Sequence, residues 1–358
     1  MHFYEASVIT TKDGLHCQVY GNEHPIKTIL VKPKYVPTNK VESSFLQYRF
    51  ISGKKMNRLN LWTEKKELTR YLKGFKKAYP HYIFQSDMHK DKKRLFFGVP
   101  INKIERKYFP RRGFSELMSI PKDQLDEHLK LVHEFGSLLI QSGLKLNDLG
   151  ITYSTLTGHY YSTVSDINIV VYGKANFWEL IQYLKRAKHT LLSWKTKERW
   201  LDYYQQRNRA KIFNKKEFLR LMLRRKSEGY FGGSLFVIFG VENEDETWFK
   251  WGQEQYSTCG LATVNATVVN DFSSVVRPGM YEIKNSRIKE GFDNVPVKKI
   301  VFYSRDYSML IRKGEKIKAC GILEHVHSKI EEDYYRLVVG YFDAYITQRR
   351  EKEYIKAD

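Results

Sequence analysis

Residues 167–172 read Ile-Asn-Ile-Val-Val-Tyr, and this run constrains the fold more than any other stretch of the chain. Apart from Asn168 it has no polar side to offer to water, so it belongs inside a sheet covered on both faces. Its neighbours supply the cover. Upstream, Pro121 opens a stretch in which Leu125, Leu129, Val132, Phe135 and Leu139 recur at a helical period, and Gly143 can end it. Downstream, Asn176 and Glu179 have capping-box spacing ahead of an amphipathic stretch over 177–187. The middle of the chain therefore reads helix, loop, strand, helix, the core of a mixed sheet in an α+β protein.

The flanks differ in kind. Near the start, apolar stretches on either side of Asp13-Gly14 predict a hairpin, residues 27–37 a further strand ended by Pro37, and residues 61–79 a helix with Leu61, Leu68, Leu72 and Phe75 on one side. Residues 81–86 are a short strand candidate, and Pro110-Arg111-Arg112-Gly113 reads as a loop. Residues 190–228 are helical and basic, with a second capping box at Asn214 and Glu217. An apolar strand then follows Gly232-Gly233, and the acidic run 242–246 reads as a solvated loop. From about residue 255 the pattern is short strands and turns without a long helix, which predicts a C-terminal β-barrel. Residues 314–326 have the turn, alternation and internal glycine of an OB-like strand, with another small barrel or a sandwich as the alternative. The expected parts are a basic α+β region over 1–120, a core over 121–254 and a β-rich domain over 255–358.

At 358 residues the chain is long enough for two or three cores, and 42% apolar with 28% charged residues fits a globular protein. No stretch approaches a membrane-spanning length of apolar residues, and the first ten residues place an acid where a signal peptide keeps its apolar centre. Cys17, Cys259 and Cys320 are too few and too scattered for a disulfide framework. A cytoplasmic location and no membrane partner are expected. The strongest compositional signal is charge: 61 Lys and Arg against 40 Asp and Glu, a net +21. The excess is uneven. Residues 1–120 carry 24 basic and 10 acidic side chains, residues 121–240 carry 19 and 11, and residues 241–358 carry 18 and 19. General solubility does not require such a split, whereas an electropositive surface built from the first two thirds does, and it suits a polyanion. Candidate nucleic-acid contacts are Lys92, Lys93, Arg94, Arg111, Arg112, Arg220, Arg224 and Arg225. Tyr71, Phe75, Tyr79, Tyr82 and Phe84 lie nearby as stacking groups or as core.

The residues ahead of the central strand carry the chemistry. A polar turn, Tyr153-Ser154-Thr155, is followed by Ser165-Asp166-Ile167-Asn168 at the strand head. Asp166 and Asn168 are two apart, so they leave an extended chain on one face, where two oxygen ligands can share a divalent cation while Ser154 and Thr155 meet phosphate oxygens. This segment resembles the signature of the DNA-polymerase-β-type nucleotidyltransferase superfamily: a Gly-Ser pair after a helix, then Asp-x-Asp at a strand start. The wider sequence resembles an archaeal family of predicted nucleotidyltransferases, in Asp13-Gly14 and Tyr35-Val36-Pro37, in the basic helix before Gly229-Tyr230-Phe231-Gly232, and in Ala266–Asp271.

The signature is degenerate here. Tyr153 replaces the glycine, and Asn168 replaces the second metal carboxylate. The later strand where the superfamily places a third carboxylate, Leu235–Phe239, has none; Glu228 and Glu242 only flank it. The resemblance implies a nucleotidyltransferase-like core, with Asp166 as metal ligand and Asn168 assisting if the protein is active. Three functions remain open. The first is a pseudoenzyme that binds RNA or DNA and needs no cofactor. The second is an active enzyme that uses Mg²⁺ or Mn²⁺ to add a nucleotide from an NTP to RNA, DNA or a protein hydroxyl. The third is a scaffold subunit of a nucleoprotein or protein complex. His325 and His327 alternate along a predicted strand and can begin a metal site, but the sequence brings no third ligand into view.

Overall fold

The fold is taken from a computed structural model, which describes residues 2–38, 40–41, 47–49, 55–59, 65–90, 94–162, 165–206, 212–341 and 349–358. The chain divides into two compact units. The first comprises residues 1–5, 9–106 and 248–358; the second comprises 6–8 and 107–247.

The first unit holds a sheet of eight strands: β1 (Val8–Thr11), β2 (His16–Val19), β3 (Thr28–Pro37), β4 (Gln47–Arg49), β5 (Lys55–Arg58), β6 (Ile83–Gln85), β7 (Leu95–Pro100) and β8 (Ile104–Tyr108). They are ordered β4-β5-β3-β2-β1-β8, with β7 joining β3 to β6. The expected first hairpin forms: Gly14 turns at φ +86°, where a side chain is disfavoured, and its N–H donates to the Thr11 carbonyl at 2.8 Å. Helix α1 (Lys65–Ala78) packs Tyr71, Leu72 and Phe75 into a core with Ile9, Cys17, Val31, Phe97 and Val99. Tyr79 and Tyr82 join the same core, so of the five rings considered as stacking groups four are buried and Phe84 is half-buried.

The second unit holds an open five-stranded mixed sheet of β9 (Leu149–Ile151), β10 (Ile167–Tyr172), β11 (Leu192–Trp194), β12 (Glu228–Phe231) and β13 (Ser234–Val241), in the order β11-β12-β13-β10-β9. The apolar run is β10, parallel to β13 on one side and antiparallel to β9 on the other. Its Ile167, Ile169 and Val171 share a face with Phe236 of β13, and that face is covered by α3 (Glu127–Ile140), whose Phe135 ring lies 4.7 Å from Phe236. The remaining helices are α2 (Pro110–Ser119), α4 (Tyr153–Thr157), α5 (Lys174–Arg186), α6 (Lys197–Gln206) and α7 (Lys215–Arg224).

Local readings are corrected in three places. Pro110-Arg111-Arg112-Gly113 is not a loop but the first turn of α2, since proline suits a position with no N–H to satisfy. A Cβ at Gly113 would lie 2.4 Å from Leu156 Cδ1, so a side chain there would have to displace that leucine. Helix α5 starts at Lys174, so Asn176 is not its cap, and its amide donates back to the Tyr172 carbonyl at 2.8 Å. The run 242–246 is not wholly solvated: Glu242 is buried against Lys174 Nζ at 3.0 Å.

The last sheet comprises β14 (Glu254–Asn270), β15 (Gly279–Glu290), β16 (Val297–Phe302), β17 (Lys316–Ser328), β18 (Tyr334–Val339) and β19 (Tyr354–Ala357), in the order β14-β15-β16-β18-β17-β19, with β14 also pairing β17. The expected architecture, a mixed-sheet nucleotidyltransferase-like core between an α+β N-terminal region and a C-terminal β-barrel, is corrected to an α+β fold of three sheets. The central sheet is open, whereas in the C-terminal sheet the β14–β17 pairing links the strands into a ring, with β19 on its edge. The C-terminal strands are no free-standing domain: Met280, Val301, Val338 and Tyr341 form one buried cluster with Leu30 and Phe96 of the first sheet. Apolar side chains that the sequence shows only as strand alternation are thus shared between the two ends of the chain within one unit.

Candidate functional site

The strand head in the second unit has a distinctive backbone. Strand β9 ends at Ile151, and α4 starts two residues on, with Tyr153 at φ +56°. A tyrosine in this left-handed region is uncommon and costs energy, on the order of 1–2 kcal/mol. The turn therefore has a conformation that suits glycine although a tyrosine occupies it. The Tyr153 ring lies edge-on to Phe239 of β13 at 5.8 Å, over the sheet face that carries Asn168.

Among the described residues, the polar groups there do not assemble a cation site. Asp166 is exposed just ahead of β10, and the Asn168 amide is turned to its own strand, 3.3 Å from the Asp166 carbonyl. Asn168 is paired with Val237, and Val237 with Glu228, so the Asn168 and Glu228 backbones are two strand spacings apart, roughly 9–10 Å. Glu228 is already paired with Lys195 at 3.0 Å, as Glu242 is with Lys174. Mg²⁺ or Mn²⁺ bound for phosphoryl transfer needs several converging oxygens, and this donor set does not supply them. Among the described residues one group of three His, Cys, Asp or Glu side chains brings its ligand atoms within 4.8 Å; it is His325, His327 and Asp333, and it does not include Asp166.

The phosphate-contact candidates are also engaged. Thr155 is buried, its hydroxyl 3.0 Å from His128 Nε2, while Ser154 is half-buried. Burial holds His128 below the ordinary histidine range, and the ring stacks on Tyr160 at 4.5 Å. His159 is likewise held low by burial, with Nδ1 3.0 Å from the Thr157 hydroxyl.

The basic candidates separate into groups. Arg94 is corrected outright: it is fully buried, donating to the Thr258 hydroxyl at 3.2 Å with its guanidinium 5.1 Å from the Tyr341 ring centre, so it cannot reach a phosphate. Arg111 lies over the Tyr172 ring at 3.7 Å and donates to Asn243 at 2.8 Å, a structural role at the end of β10. Arg112 is exposed and paired with Glu116 one helical turn on. Arg220 is exposed on α7, Arg224 is half-buried, and Arg225 donates to the Ser227 hydroxyl at 3.2 Å. Lys92 and Lys93 lie outside the described residues.

No family model and no solved structure matches the chain. An uncharacterized protein of Methanocaldococcus jannaschii is 26% identical to it over 355 residues, which covers 97% of each. The chain is thus related, weakly and along its whole length, to an archaeal protein, and this adds nothing about chemistry at Asp166.

Two features were not legible in the sequence. One is the acid that completes the His325 and His327 pair. The other is a set of charges buried in the first unit. Arg336 donates to Glu324 at 3.0 Å and to the Tyr341 hydroxyl at 3.1 Å, and its guanidinium lies 3.5 Å over the Tyr256 ring. Glu324 also faces His89 Nε2 at 3.3 Å and Arg94 at 3.9 Å. Burial alone would raise the Glu324 carboxyl, but Arg336, His89 and Arg94 hold it below the ordinary glutamate range. The available signal was polar residues at inward positions of apolar strands, Glu324 in β17 and Arg336 in β18.

Proposed function

We propose that the protein binds nucleic acid, RNA or DNA, and that its middle unit is a nucleotidyltransferase-like scaffold without a working metal site. The observation that carries this reading is the outer face of α1. Arg70, Lys73, Lys76 and Lys77 are all exposed there, opposite the buried Tyr71, Leu72 and Phe75. At 100° per residue Arg70, Lys73 and Lys77 fall in one stripe, spanning roughly 10 Å of helix axis. A helix with four exposed cationic side chains in a chain of net +21 is suited to a row of phosphates. The exposed Lys215, Lys216 and Arg220 of α7 add a second basic face, in the other unit. The left-handed backbone at Tyr153 supports a scaffold inherited from a nucleotide-binding turn.

Fluorescence anisotropy with labelled single-stranded RNA and DNA tests the reading. If α1 neutralises four phosphates, raising salt from 50 to 200 mM weakens binding on the order of 100-fold. Affinity indifferent to salt, or no affinity for either polymer, rejects it.

A further inference from the structure

We propose that His325, His327 and Asp333 bind one divalent transition-metal ion of the zinc or cobalt type. The site is a product of hairpin register. Strands β17 and β18 pair His325 with Tyr335 and Val326 with Tyr334, which sets Asp333 beside His327 at the mouth of the hairpin. Alternation puts His325 and His327 on the outer side of β17, while Glu324 and Val326 point into the core. The three ligand atoms lie within 4.8 Å of one another, and His327 Nδ1 is already 2.8 Å from Asp333 Oδ2. Ligands around a tetrahedral zinc ion sit roughly 3.3 Å apart, so small side-chain rotations complete the site.

The surroundings orient each ligand. The Ser257 hydroxyl on β14 lies 3.3 Å from His327 Nε2, which leaves Nδ1 turned to Asp333. The Ser328 N–H donates to Asp333 Oδ1 at 3.3 Å, which leaves Oδ2 in the cluster. The His325 ring packs against Tyr335 at 4.7 Å and edge-on to His327 at 4.5 Å. Such outer contacts fix tautomer and orientation at metal sites. The side chains of His327 and Asp333 are 35% and 48% exposed, so an ion can enter from solvent. Two imidazoles and one carboxylate favour zinc, cobalt, nickel or copper over magnesium or calcium, which prefer oxygens. Three protein ligands leave a coordination position for water or a ligand oxygen.

The test uses the full chain stripped with chelator and titrated with Co²⁺ followed by its visible ligand-field bands, and with Zn²⁺ by calorimetry. One equivalent is expected, with cobalt bands more intense than those of the aqua ion. His325→Ala/His327→Ala should abolish the bands, and Ser257→Ala should weaken Zn²⁺ binding on the order of tenfold. Should the double variant fail to fold by circular dichroism, Asp333→Asn, a change at an exposed side chain, carries the test. No uptake by the wild type overturns the proposal, and so does equal uptake by wild type and variants.

Discussion

The interior of the first unit and the strand head of the second handle charge in opposite ways. Around Arg336 and Glu324, charges are sunk between sheets and held by one another and by the hydroxyls of Tyr341, Tyr256 and Tyr334, the last two bonded to Glu254 at 2.8 and 2.9 Å. At the strand head, Asp166 is exposed and the Asn168 amide donates to the strand's own backbone, at the Asp166 carbonyl. Taking charges out of water is expensive, and it is tolerated where every charge meets a partner. The first arrangement therefore belongs to the fold, because removing one member strands the others. The second lies at the surface, where the fold is expected to depend on it far less. A motif that looks catalytic in sequence can thus be the less constrained of two polar clusters.

The contrast is broken most severely by Glu324→Gln. It removes the carboxylate that Arg336 and Arg94 share and leaves Arg336 with Glu254, 3.5 Å away, and we expect a loss of about 3–5 kcal/mol in urea unfolding, whereas Asp166→Asn should stay within about 0.5 kcal/mol. A similar cost at both positions would erase the distinction.

A pH effect follows next in size. Burial lowers His24 to about 4, and both ring nitrogens are committed: Nε2 lies 2.9 Å from the Phe3 carbonyl and Nδ1 accepts the Leu30 N–H at 3.2 Å. Its folded value lies below the unfolded value of 6.5, so as pH falls the unfolded chain takes up the proton first. Stability should drain between pH 6.5 and 4, by on the order of 3 kcal/mol. Urea midpoints at pH 7 and 4.5 measure this, and His24→Asn should flatten the difference; an unchanged slope in the variant assigns the effect to other groups. Glu324 adds loss at still lower pH, below its ordinary value of 4.5, since its stabilisation is present above that value and disappears as the lowered folded value is crossed.

A smaller effect is expected at Tyr153→Gly. Relief of the left-handed backbone, about 1–2 kcal/mol, opposes loss of the ring contact with Phe239, and the net should lie within about 1 kcal/mol. A loss above about 3 kcal/mol would make Tyr153 part of the core.

Much of the local structure was legible because it depends on neighbours in sequence. Strand β10, the helical periods of α3 and α7, the cap at Asn214 and the first hairpin all express patterns within a dozen residues. What was not legible depends on residues far apart. Glu324 and Arg94 read as ordinary surface charges until the strands that carry them are placed in one interior, 230 positions apart. Asp333 joins His327 only through the register of a hairpin. The strand head was legible in its parts, Tyr153, Asp166 and Asn168, but not in its backbone: nothing in the sequence marks Tyr153 as left-handed. Strand β15 is hard to read from sequence because the polar run from Lys284 to Glu290 hides its apolar start.

One side-by-side binding experiment tests the central claim most directly. Wild type, Asp166→Ala and Lys73→Glu/Lys77→Glu are compared for affinity to the same labelled single-stranded oligonucleotide at 50 mM salt, with labelled NTP and Mn²⁺ added in a parallel reaction. We expect Asp166→Ala to bind as wild type does, the lysine reversals to weaken binding about tenfold or more, and no protein to transfer label. Label transfer that vanishes in Asp166→Ala, with the lysine variant binding normally, would contradict the account.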